Sequence, residues 1–387
     1  MRILVGPRKD ECVPLQDPKQ VGELLEPILD FLRSKKCYDF LPDSTQVVVL
    51  DLDLPLMYTF SVAHEHNVTF ATLWDRQTSR YCGMLTVTDY INMLLNYHKD
   101  PDGLQAFVQG ASEDTDPASS VSQTAQSTDY VAEFASPLMQ EFMNLPIRRW
   151  RDSQRKQHNR GHCAEALLSC DPEATLFSAL NTLRVNRIHR LPVIEPSTET
   201  LLYVLGRKIL LQYFAADFPL DSTLFSYSIY DLKVGKFGGE NITCLSPSVT
   251  LYEYLSLMMS TGLGGVPVVD EKGTLVDVFS RYDIVYIAKE AERDLNTTFA
   301  EITHLRPNTP IYTCSRHDSL GAVFNHLMKF GVQRLIIINE EDSTVDGMIT
   351  IGDIVHFMFR FYKGDEEEKK ASGSQGPSPA STPPGPR

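Results

Sequence analysis

A chain of 387 residues with 42% hydrophobic and 22% charged residues is typical of a globular protein that is too long for one ordinary core. The formal net charge of −14 argues against a general binder of nucleic acid or of anionic membranes, because phosphate-rich partners require a surplus of lysine and arginine. The scattered cysteines favour free thiols in a reducing compartment, and no stretch approaches the roughly 18 apolar residues of a membrane span. We therefore expect a cytoplasmic or nuclear protein.

The chain divides into repeats and into segments that lie outside them. We assign residues 1–33 as an N-terminal extension, with a candidate helix at residues 24–32. Four copies of a βαββα module are predicted at residues 34–98, 160–222, 235–296 and 304–363, which we call the first to fourth repeats. Residues 99–159 are a linker, in which the composition of residues 101–130 predicts a disordered insertion, and residues 364–387 are a predicted disordered tail.

The repeats are recognised by their first strands, predicted at residues 70–75, 189–195, 265–270 and 334–339. A turn-forming stretch and a second strand follow each of them. At nearly the same distance beyond the first strand, three copies have an aspartate, at Asp89, Asp283 and Asp353, whereas in the second copy this spacing reaches Lys208. Helical periodicity precedes the first strands, most clearly at Leu320, Val323, Phe324, Leu327 and Met328. The pattern predicts an α/β fold.

These motifs resemble cystathionine-β-synthase (CBS) motifs and, more narrowly, the γ regulatory subunits of AMP-activated protein kinase. The resemblance rests on CYDFLP at residues 37–42, LWD at 73–75 with GMLTVTDYIN at 83–92, NRIHRLPVI at 186–194 and PVVDEKG at 267–273. It implies four CBS motifs paired into two stacked Bateman modules, which bind AMP, ADP or ATP in clefts around an axis to sense energy state. It also implies no catalysis, no cofactor, and a kinase catalytic α subunit and a scaffold β subunit as partners.

The resemblance also assigns candidate site residues. Ribose would bind Asp89, Asp283 and Asp353, with Lys208 in the equivalent position of the second repeat beside Arg207. Phosphate would bind basic residues that face the axis, and small hydroxyls would line the helix starts: His189, Arg190, Arg207 and Arg334, with Thr86, Thr88, Ser280 and Thr350. An aspartate at the start of a helix is also often only a capping residue.

The chain departs from the family at several of these positions. Thr69 and Gly262 replace arginines, Gln333 replaces a histidine, and Gly264 and Gly352 replace hydroxyl residues. Each lost arginine removes a phosphate contact worth roughly 1.5 to 3 kcal/mol. Two hypotheses therefore remain open, a nucleotide-sensing subunit with Asp283 at its best-equipped cleft, and a degenerate scaffold that responds weakly or not at all to nucleotide.

Other candidate functions have less support. The basic run at residues 148–156 is predicted to be a solvated helix that meets acidic neighbours rather than an RNA site. His158, His162 and Cys163 lack a fourth metal ligand, so no metal site is predicted. No P-loop and no Ser-His-Asp set is recognisable, so we expect no enzyme. The apolar residues between 40 and 50 are expected to pair with a strand of the β subunit.

Overall fold

The structure is a computed structural model. It describes residues 3–5, 20–40, 47–59, 70–100, 102, 105–109, 137–157, 167–220, 222–238, 242–284, 286–287, 295–307 and 310–362. No helix within these residues is long and apolar enough to cross a bilayer.

The described chain contains both strands and helices. The strands are β1 (Ile3–Val5), β2 (Val49–Asp51), β3 (Phe70–Asp75), β4 (Arg80–Thr86), β5 (Arg190–Glu195), β6 (Thr200–Gly206), β7 (Lys236–Phe237), β8 (Gly265–Val269), β9 (Leu275–Ser280), β10 (Ile311–Cys314), β11 (Arg334–Ile338) and β12 (Val345–Thr350). The helices are α1 (Gln20–Ser34), α2 (Val87–Lys99), α3 (Pro137–Met143), α4 (Ile147–Gln157), α5 (Leu176–Val185), α6 (Arg207–Asp217), α7 (Thr223–Ser226), α8 (Leu251–Thr261), α9 (Phe299–Ile302), α10 (Leu320–Phe330) and α11 (Ile351–Met358). Short 3₁₀ turns lie at Cys37–Phe40, Arg281–Asp283 and Thr303–Leu305.

The predicted first strands of the repeats are confirmed to within one residue, as β3, β5, β8 and β11. Each pairs with the following strand as an antiparallel hairpin. The first residue of each hairpin faces its last residue in the same register, at Phe70 and Thr86, Arg190 and Gly206, Gly265 and Ser280, and Arg334 and Thr350. These positions are therefore structurally equivalent among the four repeats.

Local sequence explains where the repeat helices begin and end. In α10, the side chain of Ser319 accepts a hydrogen bond from the backbone N–H of Ala322, which is an N-cap. The buried face is the one that the periodicity predicted, since Leu320, Val323, Phe324 and Leu327 are buried. The helix ends at Gly331, whose φ of 64° is left-handed and favours glycine.

Helices join the repeats across the two modules. One core contains buried side chains of the first and third repeats, and a second core combines those of the second and fourth repeats with α1. The third and fourth repeats also meet through their sheets, where Thr274 and Thr344 form an antiparallel bridge beside a small third core around Ile336. This arrangement has the predicted α/β architecture of four CBS motifs paired into two stacked modules.

The segments outside the repeats contribute to the same fold. Strand β1 pairs in parallel with β10, and α1 packs on α5. Within the linker, residues 105–109 are helical, and the Phe107 ring lies 6.4 Å from the ring of Phe142. Most of the predicted disordered insertion, and the tail beyond residue 362, lie outside the described residues. The domain boundaries within the linker and the tail stay predictions.

Candidate functional site

The three predicted ribose-binding aspartates occupy the same local motif. Each is the third residue of its helix or 3₁₀ turn, and its carboxylate accepts a hydrogen bond from the backbone N–H of the N-cap residue, which makes a capping box. The N–H of Thr86 lies 2.8 Å from Asp89 Oδ2, that of Ser280 2.6 Å from Asp283 Oδ2, and that of Thr350 2.8 Å from Asp353 Oδ2. The hydroxyls of Thr86 and Thr350 also donate to Asp89 and Asp353, at 2.9 and 2.7 Å, and that of Ser280 bonds Asp283.

The second repeat differs from the sequence prediction by one residue. Gly206 is the N-cap of α6 and pairs with Arg190 as Thr86 pairs with Phe70. The position equivalent to the aspartates is therefore Ile209, and the assignment of Lys208 to it is wrong. The spacing of the third repeat misassigned it, because the hairpin of the third repeat is one residue shorter than those of the other three. Ile209 has no carboxylate for a ribose.

Arginines from three repeats converge on His189. Burial lowers the pKa of His189 to about 4. The positive charges of four arginines make smaller contributions in the same direction, namely Arg207, Arg281, Arg190 and Arg334. The residue His189 is itself exposed to solvent. We call these five residues the arginine cluster. A site with this concentration of positive charge favours an anion.

Arg207 and Arg281 are equivalent residues, since each directly follows the N-cap of its repeat. Arg207 Nη2 donates to the carbonyls of Leu183 and Ile188, both at 2.9 Å. Arg281 likewise bonds carbonyls of its own repeat, through Nε to Leu263 at 2.9 Å and through Nη2 to Met258 at 3.3 Å. These bonds fix each guanidinium at the end of the preceding helix.

The remaining nitrogen of each of these arginines crosses to the other module. Arg281 Nη1 donates to Thr88 Oγ1 in the first repeat at 3.1 Å. Arg207 Nη1 lies 3.2 Å from where a Cβ atom on Gly352 would be, in the fourth repeat. Gly352 is equivalent to Thr88, so both arginines reach the same position of the facing repeat. Burial lowers the pKa of Arg207, which the nearby Asp353 partly offsets.

Arg190 and Arg334 are also equivalent, since each is the first residue of its hairpin. Each guanidinium lies against the first hairpin residue of the other repeat in its module. The guanidinium of Arg190 lies 4.4 Å from the centre of the Phe70 ring, a cation–π contact. The guanidinium of Arg334 lies directly on Gly265, where any Cβ atom would overlap its Nη1. Arg334 Nη1 is buried and has no hydrogen-bond partner within the described residues. This nitrogen is therefore a hydrogen-bond donor within the arginine cluster that a ligand could use.

The replacements that the sequence singled out have structural explanations. Gly262 has a φ of 72° and is the left-handed C-cap that ends α8. A Cβ atom on Gly264 would lie 2.9 Å from Arg334 Nη2, so a small residue there admits the guanidinium. Gln333 Nε2 donates to the hydroxyl of Tyr282 at 3.3 Å. Thr69 lies outside the described residues.

Sequence reasoning missed Arg306, which lies at the cleft of the third repeat. Its Nη2 donates to Asp277 Oδ1 at 3.2 Å, and its Nε is 3.7 Å from Asp283 Oδ1. Burial raises the pKa of Asp283, and the charge of Arg306 partly offsets this. A buried arginine without a recognisable motif around it gives no signal in one sequence. Because Arg306 lies next to it, Asp283 already has a neighbouring cation.

The basic linker helix α4 meets acidic neighbours, as predicted. Arg148 bonds Asp53 Oδ1 and Asp75 Oδ1, each at 2.8 Å. Arg151 donates to the Met84 carbonyl at 3.4 Å and partly offsets the burial that raises the pKa of Asp89. The linker thus packs on the first repeat.

Two further predictions from the sequence concern Lys208 and a metal site. Lys208 Nζ lies 3.0 Å from where a Cβ atom on Gly331 would be, so this side chain reaches the fourth repeat. Within the described residues there is no group of three or more His, Cys, Asp or Glu side chains that could hold a metal ion. His158, His162 and Cys163 lie outside those residues.

Comparison with known protein families agrees with this architecture. The sequence model of the CBS domain matches residues 163–216, 234–290 and 300–360. The chain is thus similar to CBS domains over its second, third and fourth repeats. The family model does not cover the first repeat, although the hairpin of β3 and β4 has the register of the other three.

Curated relatives of this chain include γ subunits of 5'-AMP-activated protein kinase. The Dictyostelium discoideum γ subunit is 28% identical over 89% of the chain, and the human γ-3 subunit is 28% identical over 84%. The chain spans 55% and 59% of the lengths of these two relatives. It is thus a divergent relative of these regulatory subunits.

A solved structure supports the fold alone. A protein from Methanocaldococcus jannaschii, described as an archaeal homologue of g-AMPK, matches 83% of this chain and 99% of its own length. The TM-score is 0.58 and the sequence identity is 12%.

Proposed function

We propose that this chain is a non-catalytic regulatory subunit of a heterotrimeric AMP-activated protein kinase, and that it binds AMP, ADP or ATP beside the arginine cluster. The observation that carries the proposal is the convergence of Arg190, Arg207, Arg281 and Arg334 on His189. A charged cluster of this kind is unfavourable without a counter-ion, because desolvation lowers the pKa of three of these arginines. A phosphate group supplies that counter-ion.

The clefts of the third and fourth repeats have the best support as nucleotide sites. Asp283 lies close enough to Arg334 for its charge to raise the arginine's pKa. Asp353 acts on Arg207 in the same way. Each of these clefts thus combines a carboxylate suited to ribose hydroxyls with a guanidinium suited to phosphate. The cleft of the second repeat has Ile209 in place of the carboxylate.

A scaffold with weak nucleotide response is the second candidate function. It is favoured by the fact that Asp89, Asp283 and Asp353 all have hydrogen-bond partners within their own capping boxes. Asp283 also has Arg306 beside it. A ribose would have to share or displace these contacts, which reduces the net gain from binding.

Calorimetric titration of the purified kinase complex with AMP, ADP and ATP distinguishes the two candidates. We expect binding that weakens as salt increases, because phosphate contacts are electrostatic. Arg334→Met and Asp283→Ala should each weaken it by about tenfold or more, since each removes a charge-assisted contact. Asp342→Ala, at an exposed turn, is the matched control and should bind as the wild type does. Absence of binding by the wild type would support the scaffold instead.

Assembly with the α and β subunits is part of the same proposal. Strand β2 lies at the edge of the sheet β2-β3-β4, and Val49 is 42% exposed there. An edge strand can accept a strand from another chain. One side of β2 is already paired with β3, so the partner would add to the other side. Co-expression with α and β subunits should yield a complex, and Val49→Pro should reduce its yield. Cytoplasmic or nuclear localisation stays a prediction.

A further inference from the structure

The cleft of the first repeat contains an arginine that comes from the linker. Arg151, on α4, donates from Nη1 to the carbonyl of Met84 at 3.4 Å. A Cβ atom on Gly83 would overlap Arg151 Nη2 and would lie 3.1 Å from the guanidinium carbon. Strand β4 leads directly into the capping box of Thr86 and Asp89. The guanidinium of Arg151 therefore lies against the strand that ends at the predicted ribose ligand.

Arg306 makes the equivalent contact in the third repeat. Met84 and Val278 are equivalent residues, since each lies two positions before the N-cap of its repeat. Arg306 Nη2 donates to the carbonyl of Val278 at 3.5 Å, as Arg151 does to that of Met84. Two arginines from unlike stretches of sequence thus reach the same backbone position of their clefts.

The two clefts differ one residue earlier on the same strand. The third repeat has Asp277 there, which accepts two hydrogen bonds from Arg306 Nη2, at 3.2 and 3.3 Å. The first repeat has Gly83 at this position, which has no carboxylate and leaves room for the guanidinium directly on β4. The positive charge of Arg151 also favours the ionised form of Asp89, against the burial that raises the pKa of this carboxyl.

The rest of α4 holds Arg151 in this position. Arg148, one turn earlier, bonds Asp53 and Asp75, each at 2.8 Å. Trp150, the residue before Arg151, is buried. Arg151 therefore leaves β4 only if its side chain turns away or if the helix itself moves.

A second arginine also reaches this cleft. Arg281 Nη1, from the third repeat, donates to Thr88 Oγ1 at 3.1 Å, directly before Asp89 in the chain. The Thr86 hydroxyl donates to Asp89 Oδ2 at 2.9 Å. The side chains predicted to receive a ligand in the first repeat are thus engaged by other parts of the protein. A nucleotide with its ribose on Asp89 would have to fit beside the end of β4, where Arg151 lies, and would break existing hydrogen bonds.

We propose that Arg151 closes the cleft of the first repeat, so that nucleotide binds only in other clefts of the chain. This inference rests on the proposed function, because it concerns which clefts take AMP, ADP or ATP. Arg151 is thus a specificity-determining residue, and α4 is an autoinhibitory contact built into the fold. A movement of α4 away from β4 opens the cleft and adds a nucleotide site.

Calorimetric titration of the full-length chain with AMP tests the closure. Asp89→Asn should bind AMP with the stoichiometry and affinity of the wild type, because the first cleft contributes no site. Arg151→Ser should bind one further AMP molecule per chain, and adding Asp89→Asn to this variant should remove that site again. Arg80→Ser is the matched control, because Arg80 is exposed at the other end of β4 and its loss should leave the stoichiometry unchanged.

Thermal unfolding gives a second measurement, which needs no nucleotide. Arg151→Ser and Asp89→Asn should each lower the Tm. The double variant should lose less than the sum of the two single losses, because each single change already removes the same interaction. Additive losses would contradict the proposal, since the charge of Arg151 would then not act on Asp89.

Two outcomes of the titration would overturn the proposal. One is the loss of an AMP site in Asp89→Asn, since the first cleft would then already be open in the wild type; this measurement decides the proposal even if Arg151→Ser fails to fold. The other is an unchanged stoichiometry in folded Arg151→Ser. A wild-type chain that binds no AMP would overturn the proposed function instead, and a site gained by Arg151→Ser would still support the closure.

Discussion

Arg306 Nε lies 3.7 Å from Asp283 Oδ1, which places a buried cation beside the aspartate that the sequence indicated as the best-equipped ribose ligand. The Arg306 side chain is 5% exposed and is enclosed by the rings of Phe279 and Phe299, at 5.6 and 5.1 Å from its guanidinium carbon. Asp277 lies on its other side. The cleft of the third repeat is therefore pre-formed around a buried ion pair.

Removal of Arg306 should destabilise the protein strongly. Arg306→Ala leaves Asp277 and Asp283 without their buried cation, and breaking such a pair costs about 3 kcal/mol. Urea unfolding at neutral pH measures the loss. Arg76→Ala is the matched control, because Arg76 is 79% exposed in its pair with Asp51 and should change the free energy of unfolding by less than about 0.5 kcal/mol.

The Arg306→Ala deficit should also depend on pH. The folded-state pKa of Asp283 is raised by burial, and loss of Arg306 raises it further. The folded variant then binds a proton that the unfolded chain has lost, so its stability falls as pH rises through that range. The deficit should shrink in acid. An equal deficit at every pH would show that lost packing, rather than charge, causes it.

Gly265→Ala should impair both anion binding and folding. Its Cβ atom would overlap Arg334 Nη1 and would lie 3.1 Å from the Phe279 carbonyl oxygen, so Arg334 must move. We expect affinity for AMP to fall about tenfold, with a stability cost of about 1 to 3 kcal/mol. Calorimetry and thermal unfolding measure the two effects.

The control for Gly265→Ala is Gly22→Ala, in α1. A Cβ atom on Gly22 meets nothing nearer than Phe361 Cγ at 3.7 Å, an ordinary contact. Alanine favours the helix by about 1 kcal/mol over glycine. This variant should be slightly more stable than the wild type and should bind AMP equally. Unchanged AMP binding in Gly265→Ala would show that Arg334 does not contribute to the site.

His189 should make stability depend on pH between about 4 and 6.5. Its folded pKa is lowered to about 4, whereas an unfolded histidine titrates near 6.5. In this window the unfolded chain binds more protons, so the contribution to stability rises with pH and is lost as pH falls toward 4. Below both pKa values no further change is expected from this residue.

The difference between the wild type and His189→Gln isolates this effect. Urea unfolding at several pH values should give a smaller slope for the variant within the window. A bound anion favours the imidazolium, so the ratio of the wild-type AMP affinity to that of His189→Gln should rise as pH falls from 7 to 5. The absence of both differences would contradict the placement of His189 among the arginines.

Arg148→Ala should loosen the linker helix from the first repeat. Arg148 is 23% exposed and bonds Asp75, which is 11% exposed, as well as Asp53. We expect a loss of about 1.5 to 3 kcal/mol at neutral pH. Arg148 holds the pKa of Asp75 below its ordinary value, so this stability is present above the unfolded carboxyl's pKa and is lost as pH falls.

Unfolding of Arg148→Ala should therefore differ from the wild type less at pH 3 than at pH 7. Arg33→Ala, whose side chain is 39% exposed beside Glu26 and Asp30, is the control and should cost less than about 1 kcal/mol. If the two variants lost equal stability, the ion pairs of α4 would be no stronger than surface pairs.

Sequence patterns predicted the repeats because their signals are local. Alternating apolar strands, turn residues and helical periodicity are read within ten to fifteen neighbours, and β3, β5, β8 and β11 appear where they were expected. The spacing beyond each first strand is also a local signal, and it located Asp89, Asp283 and Asp353. The sequence by itself thus determined the four modules, the three aspartates and the presence of Arg190, Arg207 and Arg334 near the strand and helix starts.

The tertiary structure alone decided which side chains meet. Hairpin register assigned Ile209 rather than Lys208 to the fourth equivalent position, because the second repeat has the hairpin length of the first and fourth repeats and not the shorter one of the third. Packing of the modules brought Arg281 to Thr88, residues that are almost two hundred positions apart and carry no joint signal in one sequence. Contacts of this kind depend on how separately formed repeats pack together, and such packing is a property of the whole surface of each repeat rather than of any local pattern.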